Sequence, residues 1–232
     1  STYCHAMQQH AEALGGPRKR TIHVASLDPA AENFGYQLAF DIKDLISVEE
    51  VMEELKLGPN GGLIYCMEYL MNNLDWLQDH LDDFGDDEYL LLDCPGQLEL
   101  YTHIPLMRNV IDRMRMWGYE SSMVGVFCLD TTFVSDTSKF IPGSLLSLSA
   151  MIALEVPHIN VLTKCDLIAE EDIELILDRQ SASEIWSREQ DRNSLLPAKY
   201  EDGTDENRQL ERRRRNRQRL TDSICQLLDD YT

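Results

Sequence analysis

The stretch Tyr89-Leu90-Leu91-Leu92-Asp93-Cys94-Pro95-Gly96-Gln97 decides the fold. A short apolar run suits a strand buried on both faces, and it stops at an aspartate followed by Pro and Gly, residues that punctuate regular structure. The same grammar recurs at residues 21–28 (TIHVASLD), 124–130 (VGVFCLD) and 159–166 (INVLTKCD). Between these segments lie stretches with helical periodicity, at 63–81, 100–117 and 144–154, and helices are also expected at 1–14 and 220–231. Strands alternating with crossovers predict an α/β fold with a mostly parallel sheet and helices on both faces. In such sheets ligands bind beyond the carboxyl ends of the strands, where Asp28, Asp93, Asp130 and Asp166 would gather. The competing reading is that each aspartate merely caps the next helix.

Composition narrows the function classes. The 232 residues carry 21 basic and 41 acidic side chains, a formal charge of −20. That field repels phosphate backbones and anionic bilayers, so neither direct nucleic-acid binding nor a membrane is expected. The six cysteines are scattered, without the paired spacing of a zinc site or disulfide framework, which fits free thiols in a reducing compartment. Residues 170–219 are polar, and the run 211–219 (ERRRRNRQR) reads either as a basic docking or import signal or as a solvated helix face. No chemistry is inferred there.

Two motifs carry chemistry. Asp93-Cys94-Pro95-Gly96-Gln97 follows a strand, where phosphate-handling proteins place an aspartate that holds Mg²⁺ through water and a glycine whose N–H meets a γ-phosphate. Thr163-Lys164-Cys165-Asp166 also follows a strand. Its carboxylate suits the N1 and 2-amino donors of guanine, with the lysine stem packed on the base. A Gly-rich phosphate loop ending in Lys-Ser/Thr is absent from the 232 residues, and Ser1-Thr2 read as the last residues of one. A strand before Ser1 and a further strand after the C-terminal helix are therefore expected. Gly58-Pro59-Asn60-Gly61-Gly62 reads as a tight turn with positive φ at its Gly or Asn positions.

Together the segments LDPAAENFGY (27–36), DIKDLI (41–46), GPNGGLIYCMEY (58–69), NNLDWL (72–77), DCPGQLELYTH (93–103), SAMIALEVPHIN (149–160) and TKCDL (163–167) resemble the GPN-loop GTPases, and among them the third eukaryotic branch. The resemblance runs through about residue 168 and returns in 224–231. It implies a P-loop NTPase-like fold, a single GTPase domain over 1–232 with an insertion at about 170–219, and a dimeric GTPase binding GTP/GDP and Mg²⁺. Family roles then pass to matching positions. Ser1 and Asp93 would serve Mg²⁺, Thr2 would close the phosphate loop, and Asp28 and Asp41 would lie in the switch regions. Gly96 would meet the γ-phosphate, Gln97 and Glu99 would orient the attacking water, and Thr163, Lys164 and Asp166 would read guanine. Gly58, Pro59 and Asn60 would reach the phosphates bound by the other subunit.

The resemblance further implies a homodimer, or a heterodimer with a GPN-loop paralogue. It also implies cytoplasmic work with shuttling to the nucleus, in assembly and import of RNA polymerase II subunits. Lacking the loop lysine and glycines, the 232-residue chain is itself expected to bind GTP poorly. Two other readings compete. One is a non-catalytic scaffold of the same fold that binds polymerase subunits or chaperones. The other is an ATP-dependent metal- or cluster-handling relative, against which the missing cysteine pairs count.

Overall fold

The computed structural model describes residues 2–14, 21–85, 87–102, 104–135, 137–170, 173, 219 and 221–226. They fall into two compact units, Ser1–Met123 and Val124–Thr232. The expected insertion at 170–219 and the basic run lie almost wholly outside the described residues, as does Ser1.

In the first unit, helix α1 (Thr2–Ala13) precedes β1 (Ile22–Ser26), β2 (Leu38–Asp41), α2 (Val48–Leu55), α3 (Pro59–Asn72) and α4 (Leu74–Asp82). Strand β3 (Tyr89–Asp93), the one-turn α5 (Glu99–Thr102) and α6 (Leu106–Met114) follow. The strands form a parallel sheet in the order β2-β1-β3. The register pairs Ser26 with Asp93 on one side and with Asp41 on the other, so both carboxylates stand at one level at the sheet's carboxyl edge. The core is made of Val24, Ala25, Leu27 and Ile42 with the inward faces of the helices, among them Leu63, Met67, Leu70, Leu77 and Val110. Pro29 and Pro95, in the loops leaving β1 and β3, are also fully buried, which seats both loops on the core.

The second unit holds β4 (Gly125–Asp130), α7 (Thr132–Ser135), α8 (Thr137–Leu154) and β5 (His158–Thr163). Strands β4 and β5 pair in parallel, with Asp130 opposite Thr163. The Ser147 hydroxyl donates to Asn160 Oδ1 at 2.5 Å, tying α8 to β5. Every described strand pair is parallel, as the strand-and-crossover alternation predicts. No described helix is long and apolar enough to cross a membrane.

Several local expectations are corrected. The helix predicted over 63–81 is two helices, because Asn73 adopts φ −128°, ψ 40° and its Nδ2 donates to the Tyr69 carbonyl at 2.8 Å, ending α3. The helix predicted over 100–117 is interrupted around Pro105, and beyond α6 a wide turn, Arg115–Tyr119, closes on Gly118 at φ 101°. Helix α8 begins at Thr137, well before the predicted 144, and runs through Pro142.

Gly58-Pro59-Asn60 is not a positive-φ turn. Gly58 caps α3 at φ −74°, ψ 169°, Pro59 occupies the first helical position, and Asn60 is already helical. The ring's fixed φ and missing N–H suit that first position, so the motif starts a helix instead of turning the chain. The left-handed residue of this connection is Lys56, at φ 53°. Gly62 lets α2 approach α3, since a Cβ there would stand 3.1 Å from Met52 Cγ and 3.4 Å from Val48 Cγ1.

Candidate functional site

The carboxyl edge of the first sheet opens into a cleft of about 380 Å³ lined by Asp28, Ala31, Glu32, Asn33, Phe34, Asp93, Cys94 and Gly96. Three of the sequence-predicted residues, Asp28, Asp93 and Gly96, meet there. Asp28 leaves β1 by a turn in which its Oδ1 accepts from the Ala30 N–H at 3.0 Å. Burial, with the Asp93 charge adding to it, holds the Asp28 carboxyl above its ordinary 3.8, against the pull of that N–H and of Lys43. Burial thus disfavours the charged carboxylate, a cost that a cation held beside it would offset.

Asp93 ends β3, and its Oδ2 accepts from the Tyr36 hydroxyl at 2.5 Å. Tyr36 is buried, and burial followed by donation to Asp93 raises its phenol well above the ordinary range. The Cys94 thiol donates weakly to the Leu92 carbonyl at 3.5 Å, and burial pushes it up to about 12, so it is no nucleophile at neutral pH. Tyr101 donates to the Pro95 carbonyl at 2.6 Å, fastening the 94–98 loop to α5.

Gly96 is exposed, its φ lies outside the left-handed region, and a Cβ built on it would meet nothing within 4 Å. Neither packing nor backbone geometry demands a glycine there, and the space in front of it is open. Gln97 is exposed on the turn leading into α5 and Glu99 is the exposed first residue of that helix; neither lines the cleft. Asp41 stands level with Asp93, but its Oδ1 accepts from the Lys43 N–H at 3.1 Å and caps a 3-10 turn. Gly58, Pro59 and Asn60 lie exposed at the start of α3, outside the cleft lining, beside the exposed apolar residues Leu55, Leu57 and Tyr65. Thr2 is the exposed first residue of α1.

The second unit positions the remaining predicted residues. The buried Thr131 donates its N–H at 2.9 Å, and also its hydroxyl, to the Thr163 carbonyl, anchoring the end of β5. Lys164 takes the left-handed conformation, φ 57°, and its Nζ reaches Asp130 Oδ2 at 2.8 Å. Asp130 Oδ1 also accepts from the Thr132 N–H at 2.9 Å and hydroxyl at 2.8 Å. The lysine first, and these donors next, lower the Asp130 carboxyl to about 2. Asp166 sits in the short 3-10 turn Cys165–Leu167, just past Lys164.

Sequence reasoning missed Tyr36 and Asp130 as partners of the motif residues. Asp130 carried a signal, the strand-end aspartate. Tyr36 carried none, since its acceptor lies 57 residues away. Among the described residues no group of three or more His, Cys, Asp or Glu is gathered closely enough to hold a metal unaided. Asp28 and Asp93 nevertheless form a hard-oxygen pair facing one cleft. That fits Mg²⁺, which completes its shell with water and substrate oxygens more often than with a full protein cage.

A family profile described as "Conserved hypothetical ATP binding protein" matches residues 1–232. The chain is 53% identical to GPN-loop GTPase 3 of Dictyostelium discoideum over 77% of its own length and 61% of that relative. It is 43% identical to GPN-loop GTPase 3 of Danio rerio over 100% of its length and 74% of that relative. It thus spans about three fifths to three quarters of the length of these curated relatives. The apo crystal structure of a GTPase from Pyrococcus abyssi superposes with a TM-score of 0.61 at 22% identity, over 75% of this chain and 64% of that one, which establishes the P-loop NTPase-like α/β fold. With its whole length matched and its motifs at the predicted strand ends, the chain belongs to the GPN-loop GTPase family.

Proposed function

We propose that the full-length protein binds GTP and GDP with Mg²⁺ and hydrolyses GTP as a dimer. The partner is a second copy or a GPN-loop paralogue. Its work is cytoplasmic with shuttling to the nucleus, in assembly and import of RNA polymerase II subunits. The observation that carries the nucleotide reading is the meeting of Asp28, Asp93 and Gly96 on one cleft at the carboxyl edge of the first sheet. The Thr163-Lys164-Cys165-Asp166 turn at the carboxyl end of β5 supports guanine as the base.

Phosphoryl transfer to water needs charge neutralisation, N–H donors and an oriented nucleophile more than a strong base. Asp93 and Asp28 would hold Mg²⁺, with Ser1 as the family's hydroxyl ligand; the ion supplies neutralisation of the phosphate oxygens. The open space at Gly96 admits a γ-phosphate to its N–H. Gln97, on the exposed turn beyond it, and Glu99, at the start of α5, accept hydrogen bonds from the attacking water and fix its direction. Asp166 accepts from N1–H and the 2-amino group of guanine. Asn60, presented at the start of α3 by Gly58 and Pro59, acts on the phosphates of the other subunit.

Calorimetry on the full-length protein with Mg²⁺ should give GTP and GDP binding with ATP weaker by about tenfold or more, the worth of one net charge-assisted hydrogen bond. Equal affinity for ATP would overturn the guanine reading and favour the adenine nucleotide that the family description names. Binding without turnover would leave the scaffold reading. Asn60→Ala should lower turnover more than affinity; equal losses would reduce the segment to a helix start.

A further inference from the structure

We propose that Tyr36 is a positioning residue for Asp93, held against that carboxylate by α1 so that the metal-facing group is oriented before nucleotide arrives. The assignment rests on the functional reading above.

Tyr36 lies in the connection between β1 and β2, and its hydroxyl crosses to β3 to donate to Asp93 Oδ2 at 2.5 Å. Its ring is packed with Cys4 of α1 and Val24 of β1, flanked by Phe34, Leu38 and Leu91. The Phe34 and Tyr36 ring centroids stand 5.5 Å apart. A phenol has few torsions, and in this cluster it cannot swing away without exposing apolar surface.

Gln37, just after Tyr36, is fastened to the same helix, and Gly35, just before it, lies close to that helix. Gln8 of α1 donates from Nε2 to the Gln37 carbonyl at 3.2 Å and accepts the Gln37 N–H on Oε1 at 3.0 Å, a two-point grip on the main chain. The His5 ring lies 3.6 Å from where a Gly35 Cβ would stand. A helix, a loop and a strand end are thereby locked together, and part of the same loop, Ala31 to Phe34, lines the cleft. A carboxylate that must serve a metal through water gains from having its plane set by a second donor. Losing such outer partners costs about 10–100-fold in metal affinity or activity.

Tyr36→Phe in the full-length protein removes the donor and keeps the ring. Binding of a fluorescent GDP is measured with Mg²⁺ and again with the metal chelated, alongside the thermal midpoint. The ratio of the two affinities should fall about tenfold or more, with metal-free affinity and the preference for GDP over ADP unchanged. Gln8→Ala, which frees the Gln37 main chain and leaves Tyr36 intact, should lower the same ratio by a smaller factor. An unchanged ratio in both variants, or an equal loss with and without Mg²⁺, would overturn the assignment and leave Tyr36 a packing residue. A wild-type protein with no Mg²⁺-enhanced binding of GDP would overturn the functional reading, and this assignment with it.

Discussion

The ends of β3 and β4 are written in the same way, an apolar run closed by an aspartate, yet their surroundings differ. Asp93 shares its cleft with a second carboxylate, Asp28, which burial and the neighbouring charge hold above its ordinary value. Asp130 has a lysine at 2.8 Å and two donors from Thr132, and its carboxyl is drawn down to about 2. A strand-end aspartate is therefore not one kind of group. The first edge sets two carboxylates on one cleft, while the second pairs its carboxylate with Lys164.

This contrast can be broken by removing charge and keeping shape. The largest effect is expected from Asp93→Asn, which should cost about 10–100-fold in Mg²⁺-dependent nucleotide affinity of the full-length protein, read by titration with the metal. A loss of that size from Asp130→Asn instead would invert the comparison.

Next comes Asp28→Asn, which keeps the acceptor for Ala30 and should raise the thermal midpoint of metal-free protein at pH 7 by a few degrees. The sign comes from linkage. A carboxyl raised in the folded state stabilises most below its ordinary 3.8, and that contribution is lost as pH rises through the higher folded value. The gap between variant and wild type should accordingly open above pH 4 and close below it. A midpoint lowered at pH 7 would show that Asp28 already has a compensating partner.

The smallest effect is expected from Asp130→Asn, with the opposite sign. A depressed carboxyl stabilises above 3.8, and the contribution disappears as pH falls towards about 2. Because the ion pair is solvent-screened, the midpoint should drop by less than about 2 °C at pH 7. Added salt should shrink the drop further.

Much of the frame was legible because it depends on local pattern. The apolar runs located β1, β3, β4 and β5 to within about three residues, because composition changes where each run stops; of the four only β1 has buried residues, while β3, β4 and β5 are half-buried or exposed along their length. Strand β2 has only Leu38–Asp41 and offers no period to read. Helix α2 was not among the expected helices, although Ser47 and Glu50 have capping-box spacing and Ser47 Oγ accepts from the Glu50 N–H at 3.3 Å. The break at Asn73 turns on a side chain choosing a backbone partner, a competition that hydrophobic periodicity does not register.

At the candidate site, residue types were readable and pairings were not. Asp93 and Asp130 end their strands as expected, while Asp166 lies three residues past β5, in a 3-10 turn. That one is held by Tyr36 and another by Lys164 depends on contacts made only after the sheets form. The capping interpretation survives for Asp130, which accepts from the N–H of Thr132 at the start of α7; Asp28 accepts from the N–H two residues on, but in a turn, and Asp41 does the same at a 3-10 turn. Asp93 differs from them in accepting from a tyrosine hydroxyl far away in the chain.

The open space in front of Gly96 sets two kinds of selection against each other. A screen that scores only folding should accept alanine there, even gain up to about 1 kcal/mol from a stiffer unfolded chain, because the new methyl touches nothing. A screen that scores nucleotide turnover should reject the same substitution. Positions where tolerance and function part in this way trace the outline of the ligand from mutational data alone, and Gly96 is where that outline should be sharpest.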